Sequence, residues 1–180
     1  MKLYEITCSE YFEAYNILDS NYKLNRKFDG IEKMSDEWGV KTLQKIHKGK
    51  KADIAYNWSF NGSLILKEHA YEILKNIFLE DEVEMLPVAY ENERCYIPHC
   101  ITAVSNMNIE IQKRKDESHY YYFSENELKN NRLYNKYFFK AELNHGVVTN
   151  MLFTERFINL VSEHNLKGIE FDEAGGTETE

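Results

Sequence analysis

A strand–helix–strand pattern between Leu64 and Val88 constrains the fold more than any other feature of the sequence. Leu64–Leu66 is apolar throughout and leads directly into segment 67–79. Within that segment apolar residues recur at intervals of three and four, which places them on one face of a helix. These residues are Ala70, Ile73, Leu74, Ile77 and Phe78. A second strand, Val83–Tyr90, follows an acidic turn, so the segment predicts a β-helix-β unit with one packed face.

A similar pattern recurs near the C-terminus, between Thr149 and Phe171. When Leu64 is aligned with Met151, the apolar residues Leu64–Leu66, Ile73, Leu74 and Leu79 of the first stretch fall on apolar residues of the second. The similarity lies in this pattern more than in identical residues. A repeated pattern indicates that one supersecondary unit is used twice. We therefore predict an α+β fold with mixed β-sheets and two pseudo-repeated β-helix-β units, 52–90 and 137–172.

The length and composition favour one domain. A chain of 180 residues, 43% of them hydrophobic, can bury a sizeable core, and its two prolines and eight glycines argue against a linker-rich chain. We predict a single domain over 1–173, followed by a polar tail, 174–180, without core residues. The N-terminus lacks the apolar run of a signal peptide, and no segment approaches the roughly 18 apolar residues of a membrane helix. A cytoplasmic protein is therefore expected.

Local signals predict several further features of the chain. Capping residues favour a helix near Glu10–Leu18, and the turn-rich segment 19–50 is predicted to be mainly loop, with one short helix. Pro87 favours an edge strand or a position at the end of its strand, because proline cannot donate to a sheet. Ser124–Glu127 has the spacing of a capping box and should open a helix. Asn165 suits the left-handed residue that closes the second repeated helix.

The net charge of −8 is concentrated on the two predicted units. Segment 61–100 has eight acidic and three basic residues, a net −5, and segment 141–180 has eight and two, a net −6. Such a distribution repels nucleic acid and membrane phosphates and attracts a basic protein at an enhanced rate. The alternative is that the acidity only maintains solubility. The turn 80–82 also stands at a helix C-terminus, where negative charge is unfavourable. We predict partner contacts at these positions: Glu80, Asp81, Glu82, Glu84, Tyr90, Glu91, Glu93, Glu170, Asp172 and Glu173.

Cysteine and histidine residues offer candidates for chemistry at a side chain, whereas the paired carboxylates Asp81-Glu82 and Asp172-Glu173 are better explained as solvated turns or tails. Cys95, His99 and Cys100 match no common zinc spacing, and on a strand the neighbours His99 and Cys100 point to opposite faces. A buried cysteine beside a surface histidine is the favoured interpretation. Cys8, the third cysteine, leaves an odd number without a CxxC, which fits free thiols in a reducing compartment. No nucleotide-binding glycine loop occurs.

Several weak motifs follow one another in a definite order from residue 50 to residue 172. They are Asp53-Ile54, LILKEHAYEIL at 64–74, Met85-Leu86-Pro87-Val88, Ile101-Thr102-Ala103-Val104, FFKAEL at 138–143, MLFTERFINLV at 151–161 and LKGIEF at 166–171. In this order the chain resembles a family of bacterial immunity proteins, formerly a domain of unknown function, whose members are encoded beside polymorphic toxins. Two positions depart from the family pattern: Lys67 replaces a usual serine, and Ser105 replaces a usual acidic residue.

The resemblance implies a non-catalytic immunity protein that binds a cognate toxin and blocks it by occupying its surface. We accordingly expect no catalysis, no cofactor and no bound metal, with neither nucleic acid nor membrane as a partner. Two other classes stay open. A small-ligand or peptide-binding module would show a deep apolar pocket. A Cys–His hydrolase would need Cys95 or Cys100 exposed beside a histidine.

Overall fold

The computed structural model describes residues 1–60, 62–80, 82–105, 109–114, 119–143 and 147–177. The strands are β1 (Lys2–Cys8), β2 (Ala14–Ile17), β3 (Lys41–His47), β4 (Ile54–Asn57), β5 (Ser63–Lys67), β6 (Val83–Tyr90), β7 (Glu93–Cys100), β8 (Ile109–Lys113), β9 (His119–Phe123), β10 (Phe138–Phe139), β11 (Leu152–Thr154) and β12 (Ile169–Thr177). The helices are α1 (Tyr22–Asp29), α2 (Ser35–Trp38), α3 (Glu68–Glu80), α4 (Glu125–Asn130) and α5 (Glu155–Glu163), with a 3-10 turn at Leu133–Asn135. None of these helices combines the length and the apolar character needed to cross a bilayer.

Six strands close into a barrel in the order β2-β3-β6-β7-β5-β4, and β2 completes the ring by pairing in parallel with β4. Strand residues point alternately inward and outward, so each strand contributes every second side chain to the interior. The interior core includes Tyr15, Ile17, Leu43, Ile65, Val88 and Ile97. Phe28, Met34 and Trp38 enter this core from the segment 28–38, which we call the plug because it fills one end of the barrel.

The other strands form an open, mixed sheet in the order β10-β11-β1-β12-β9-β8. The central strand β12 pairs antiparallel with β1 and parallel with β9. One face of this sheet packs on residues of α4 and the 3-10 turn. That core includes Leu3, Phe123, Leu128, Leu133, Leu152 and Ala174. Both sheets mix parallel and antiparallel pairs, which confirms an α+β fold with mixed sheets.

A third core joins the barrel to the open sheet and contains the apolar faces of α3 and α5. Its members include Leu64, Leu66, Ala70, Leu74, Phe78, Phe153, Phe157 and Val161. The ring of Phe78 lies 5.0 Å from that of Phe138, and the rings of Phe153 and Phe157 lie 4.8 Å apart. Leu64 and Leu66 face this core while Ile65 faces the barrel interior. A strand that is buried on both faces explains why this stretch is apolar without interruption.

The two predicted β-helix-β stretches both contain the order strand, helix, strand, as β5–α3–β6 and β11–α5–β12. In each, the two strands run parallel with one antiparallel strand between them. That strand is β7 in the barrel and β1 in the open sheet. One unit therefore lies in a closed barrel and the other in an open sheet. Their relation as a pseudo-repeat stays a prediction.

Three local predictions are wrong. The helix expected near Glu10–Leu18 is replaced by β2, because Ala14–Ile17 pairs with both β3 and β4 to close the barrel. The loop-rich segment 19–50 contains two helices and β3. Pro87 lies in a strand paired on both sides. The ladder to β3 covers only Val88 and Ala89, so the proline stands outside it.

The predicted polar tail is also wrong over residues 174–177. These residues belong to β12, and Ala174 is 5% exposed in the core of the open sheet. Gly175 pairs with Tyr121, and a Cβ at Gly175 would lie 2.6 Å from the Tyr121 carbonyl oxygen. The glycine therefore permits a close approach of two backbones, which polar composition alone does not reveal. Residues 178–180 lie outside the described part of the chain.

We expect the substitution Gly175→Ala to lower the free energy of unfolding by about 1–3 kcal/mol, because the added methyl group overpacks the contact with β9. Gly30→Ala is the matched control, since a Cβ there would meet only ordinary contacts at 3.5 Å and beyond. Urea denaturation followed by circular dichroism measures both variants. Equal effects of the two substitutions would contradict the placement of Gly175 in the sheet.

Candidate functional site

The predicted acidic contact residues do not form one surface. Glu82 and Glu84 lie at one end of the β6–β7 hairpin and Glu91 and Glu93 at the other, roughly 20 Å away along the strands. The remaining residues, Glu170, Asp172 and Glu173, belong to β12 in the open sheet. Asp81 and the side chain of Glu80 lie outside the described residues.

Four of these residues have partners within the chain. The Glu84 carboxylate accepts hydrogen bonds from the backbone amides of Met34 (2.5 Å) and Ser35 (2.9 Å) and so holds the plug at the start of α2. Glu173 pairs with Lys2 at 2.5 Å and accepts from the Tyr120 hydroxyl at 2.9 Å. The other two, Tyr90 and Glu93, belong to a cluster in the barrel. These contacts give the four side chains structural roles within the fold.

Tyr90 and Glu93 belong to a group of charged and aromatic residues that we call the barrel-mouth cluster. It fills the end of the barrel opposite the plug. Its residues are Glu13, Tyr15, Lys45, Lys67, Tyr90 and Glu93. The Lys67 ammonium lies 2.8 Å from Glu93, 3.1 Å from the Tyr15 hydroxyl and 3.6 Å from Glu13. Lys45 pairs with Glu13 at 2.6 Å, and its ammonium lies 5.0 Å from the Tyr90 ring centroid. Two cations thus compensate two carboxylates within one network.

The chemistry of the cluster is that of a compensated ion network. Burial opposes the charge on Lys67, but its hydrogen bonds with Glu93 and Tyr15 outweigh burial and raise the pKa of the lysine. A nucleophilic lysine needs the opposite shift. Cys95 is fully buried nearby, and burial raises the pKa of its thiol to about 12 in spite of Lys67. The cluster therefore suits the stability of the barrel better than bond-making.

His99 differs from its prediction as a surface residue. It is fully buried, its ring lies 4.7 Å from that of Phe28, and its Nε2 is 2.9 Å from the Glu32 carbonyl oxygen. Burial lowers the pKa of His99 to about 4, so the imidazole is neutral. Cys100 is 2% exposed and belongs to the core on the outer side of the barrel. The two neighbours do point to opposite faces, as predicted.

A groove beside Trp58 is a better candidate for recognition. This Trp58 groove has a volume of about 450 Å³, and its lining residues are Cys8, Ser9, Glu10, Ile46, His47 and Trp58. Trp58 is 56% exposed and Ile46 is 44% exposed, while Tyr11, two residues from Ser9, is 67% exposed. Exposed tryptophan and tyrosine beside aliphatic side chains are typical of protein-binding surfaces.

One carboxylate, Glu170, acts on the Trp58 groove, because its charge adds to the raised pKa of the Cys8 thiol, which burial raises first. On the open sheet, Glu5 pairs with Asp172 and Thr7 with Glu170, so three carboxylates lie on neighbouring strands. Burial raises the pKa of Glu5, and the charge of Asp172 adds to the shift, whereas a hydrogen bond from Asn150 opposes it. Gly62, at the end of the Trp58 loop, packs against the Asn150 side chain. Asn150 therefore connects Glu5 to the loop that carries Trp58.

Lysines follow His47, which lines the groove. They are Lys48, Lys50 and Lys51, and the backbone amide of Lys50 donates to the Tyr11 carbonyl at 2.8 Å. The groove itself combines aromatic and aliphatic side chains with one carboxylate, that of Glu10.

A second groove, the hairpin groove, lies beside the β6–β7 hairpin. Its volume is about 480 Å³, and its lining includes Val40, Pro87, Ala89, Glu91, Glu93, Arg94 and Tyr96. Val40 is 68% exposed. Two of the predicted contact residues, Glu91 and Glu93, therefore line a groove, and a third, Glu170, acts on Cys8 in the other. Sequence reasoning missed Trp58 and Ile46. The one available signal was a tryptophan placed in a predicted turn beside Asn61-Gly62.

No protein-family model matches the sequence, and no curated protein matches it. The resemblance to immunity proteins therefore remains a prediction. Within the described residues no group of three or more histidine, cysteine or acidic side chains is arranged to hold a metal ion.

We expect a thiol reagent to leave Cys95 and Cys100 unmodified in the folded protein near neutral pH, because both are buried and the thiolate, not the thiol, reacts. Cys8, which is partly exposed and whose pKa burial also raises, should react slowly. All three should react in denaturant. Mass spectrometry of the labelled peptides measures each site. Rapid labelling of Cys95 or Cys100 in the native state would favour the Cys–His hydrolase again.

Proposed function

We propose that this protein neutralises a cognate bacterial toxin by binding it through the Trp58 groove, without catalysis. The observation that carries the proposal is the exposure of Trp58. A half-exposed indole over a groove with an exposed isoleucine is an unfavourable surface in water, and burying it against a partner is a large gain. The order of motifs that resembles immunity proteins supplies the expected class of partner.

The two tryptophans of the chain differ in exposure, and this difference separates a residue that supports the fold from one that suits recognition. Trp38 is 2% exposed, and its indole N–H donates to the Pro87 carbonyl at 2.8 Å. Trp58 contacts the Tyr56 ring at 5.4 Å but leaves more than half of its side chain in solvent. Tryptophan is among the residues most enriched at binding hot spots. Trp58 is therefore the expected anchor of the interface.

The carboxylates of the open sheet define the chemistry of the partner. Glu5 and Asp172 stand directly opposite each other on neighbouring strands, an arrangement that destabilises the free protein. A basic side chain of the toxin placed over this pair would relieve the repulsion. We accordingly expect the toxin to present an apolar anchor for the groove together with a lysine or arginine for Glu5, Asp172 and Glu170.

The hairpin groove extends the proposed interface along the exposed side of β3. Glu91 and Glu93 outnumber Arg94 in its lining, so it carries net negative charge. Both grooves fall in the size range of small-molecule pockets. Their rims, however, carry Val40 and Trp58 with most of each side chain in solvent, and such shallow depressions suit a protein surface better than an enclosed ligand.

We expect Trp58→Ala to weaken binding to the toxin encoded beside this gene by tenfold or more, since hot-spot truncations cost about 2 kcal/mol or more. Tyr22→Ala is the matched control, because Tyr22 is an aromatic residue with 81% exposure on α1, away from the groove. Co-expression, co-purification and surface plasmon resonance measure the interaction, and protection of cells from the toxin measures the function. Equal affinity of the two variants would contradict the assignment of the groove.

We expect Asp172→Asn to change stability and binding in opposite directions. Loss of the repulsion with Glu5 should raise the free energy of unfolding by about 0.2–1 kcal/mol, while loss of an attractive charge should slow association with a basic toxin and reduce its salt dependence. The raised pKa of Glu5 gives the sign with pH: its protonated form is favoured by folding, so this stabilisation is present at low pH and is lost as pH rises through the folded pKa.

Chemical denaturation at several pH values and stopped-flow association at several salt concentrations measure the two effects. Glu163→Gln, on an exposed position of α5, is the control for loss of one negative charge. Association that is as fast for Asp172→Asn as for the control would remove the basic contact from the proposal.

A further inference from the structure

Three polar side chains form a row across neighbouring strands of the barrel. Asn57 on β4 pairs with Ser63 on β5, and continuing the register of β5 with β7 places His99 opposite Ser63. All three residues are fully buried. Each lies two positions from a residue of the barrel-interior core on its own strand, so its side chain points into the barrel. Those core residues are Ala55, Ile65 and Ile97.

Each of these side chains has one polar atom that lacks a hydrogen-bond partner among the described residues: Asn57 Nδ2, Ser63 Oγ and His99 Nδ1. Unsatisfied buried polar atoms are costly and rare. Three of them in one row, contributed by three adjacent strands, indicate a common partner.

The hydrogen bonds of the other polar atoms in the row determine whether each unpaired atom is a donor or an acceptor. Asn57 Oδ1 accepts from the Ser59 amide at 3.0 Å, so the nitrogen Nδ2 is left as a donor. The Glu32 carbonyl can only accept, so His99 Nε2 carries the imidazole proton and Nδ1 is an acceptor. The Ser63 hydroxyl can take either role. The row therefore presents one donor, one acceptor and one group that adapts to both.

The row lies in an apolar enclosure. The Phe28 ring stacks on Phe60 at 4.2 Å and lies 4.7 Å from the His99 ring, and the Ser63 amide donates to the Phe60 carbonyl at 3.2 Å. These rings separate the row from solvent at the plugged end of the barrel. A partner must accordingly be small and must both donate and accept.

We propose that one water molecule binds between Asn57, Ser63 and His99. It accepts a hydrogen bond from Asn57 Nδ2, donates one to His99 Nδ1 and exchanges a third with Ser63 Oγ, which matches the roughly three bonds that a buried water makes. β4 and β7 lie about 10 Å apart across β5, which favours a bridging molecule over a direct bond between the amide and the imidazole.

This water connects the Trp58 loop with the plug. Asn57 directly precedes Trp58, and His99 holds the plug through Glu32. The bound water therefore braces the base of the Trp58 loop against the plug. The inference does not depend on what binds at the Trp58 groove.

A high-resolution crystal structure of the full chain is the direct test. We expect a fully occupied water peak within hydrogen-bond distance of Asn57 Nδ2, Ser63 Oγ and His99 Nδ1. A direct hydrogen bond between any two of these atoms, with no water density between the strands, would overturn the proposal.

The sign of the thermal shift caused by Ser63→Ala is a second test, which needs no crystal. If water bonds the hydroxyl, its removal should lower the melting temperature by a few degrees, in the same direction as Ser59→Ala, which removes a hydroxyl that accepts from the Ile17 amide at 2.7 Å. If the hydroxyl has no partner, its removal relieves a buried polar group. An unchanged or raised melting temperature for Ser63→Ala would therefore contradict the bound water.

Discussion

A buried ammonium group connects the open sheet to the barrel. Lys140, one residue beyond β10, is 3% exposed, and its Nζ donates to the carbonyl oxygens of Phe28 (2.7 Å), Asp29 (3.1 Å) and Gly30 (2.7 Å) at the end of α1. A helix C-terminus has unsatisfied carbonyls and partial negative charge, so a cation is its natural partner. Burial lowers the pKa of Lys140 to about 8, but the lysine stays mainly protonated at neutral pH. The position of the plug, and with it the closed end of the barrel, depends on this contact between elements more than a hundred residues apart.

The plug is held by further polar contacts from the β6–β7 hairpin. Glu84 and His99, which are cross-strand partners, bind backbone groups at Met34, Ser35 and Glu32. Each contact satisfies a backbone group that would otherwise lack a partner near the core. A short, loop-rich segment can fill the end of a barrel only if such groups are satisfied. Glu84 shows why an acidic residue next to a turn is ambiguous: the same carboxylate that would suit a basic partner also caps a short helix.

The parts of the fold that were predictable are those that local residues determine. The Ser124–Glu127 capping box forms as predicted, and Asn165 adopts a left-handed conformation with φ of 53°. The helix expected over 10–18 fails because its capping signals compete with barrel closure, in which β2 gains two neighbours from distant sequence. The candidate site was even harder to predict from the sequence. The acidic residues were visible in the sequence, but the exposure of Trp58 depends on a loop held between β4 and β5, and no local pattern distinguishes it from the buried Trp38.

The buried charged groups and the exposed apolar groups of this structure have different consequences. The buried ions, Lys67 and Lys140, are each surrounded by acceptors, so the fold itself explains them. The exposed apolar groups around the Trp58 groove have no such explanation, because nothing in the described chain covers Trp58, Ile46 or Tyr11. A surface of this kind is stable only at a cost, and a partner that buries it recovers that free energy. The carboxylates of Glu5 and Asp172 on the open sheet add a second unfavourable feature, of the opposite chemical kind. An apolar anchor and a cation on one partner relieve both features, whereas the phosphates of a nucleic acid would add to the repulsion between the carboxylates.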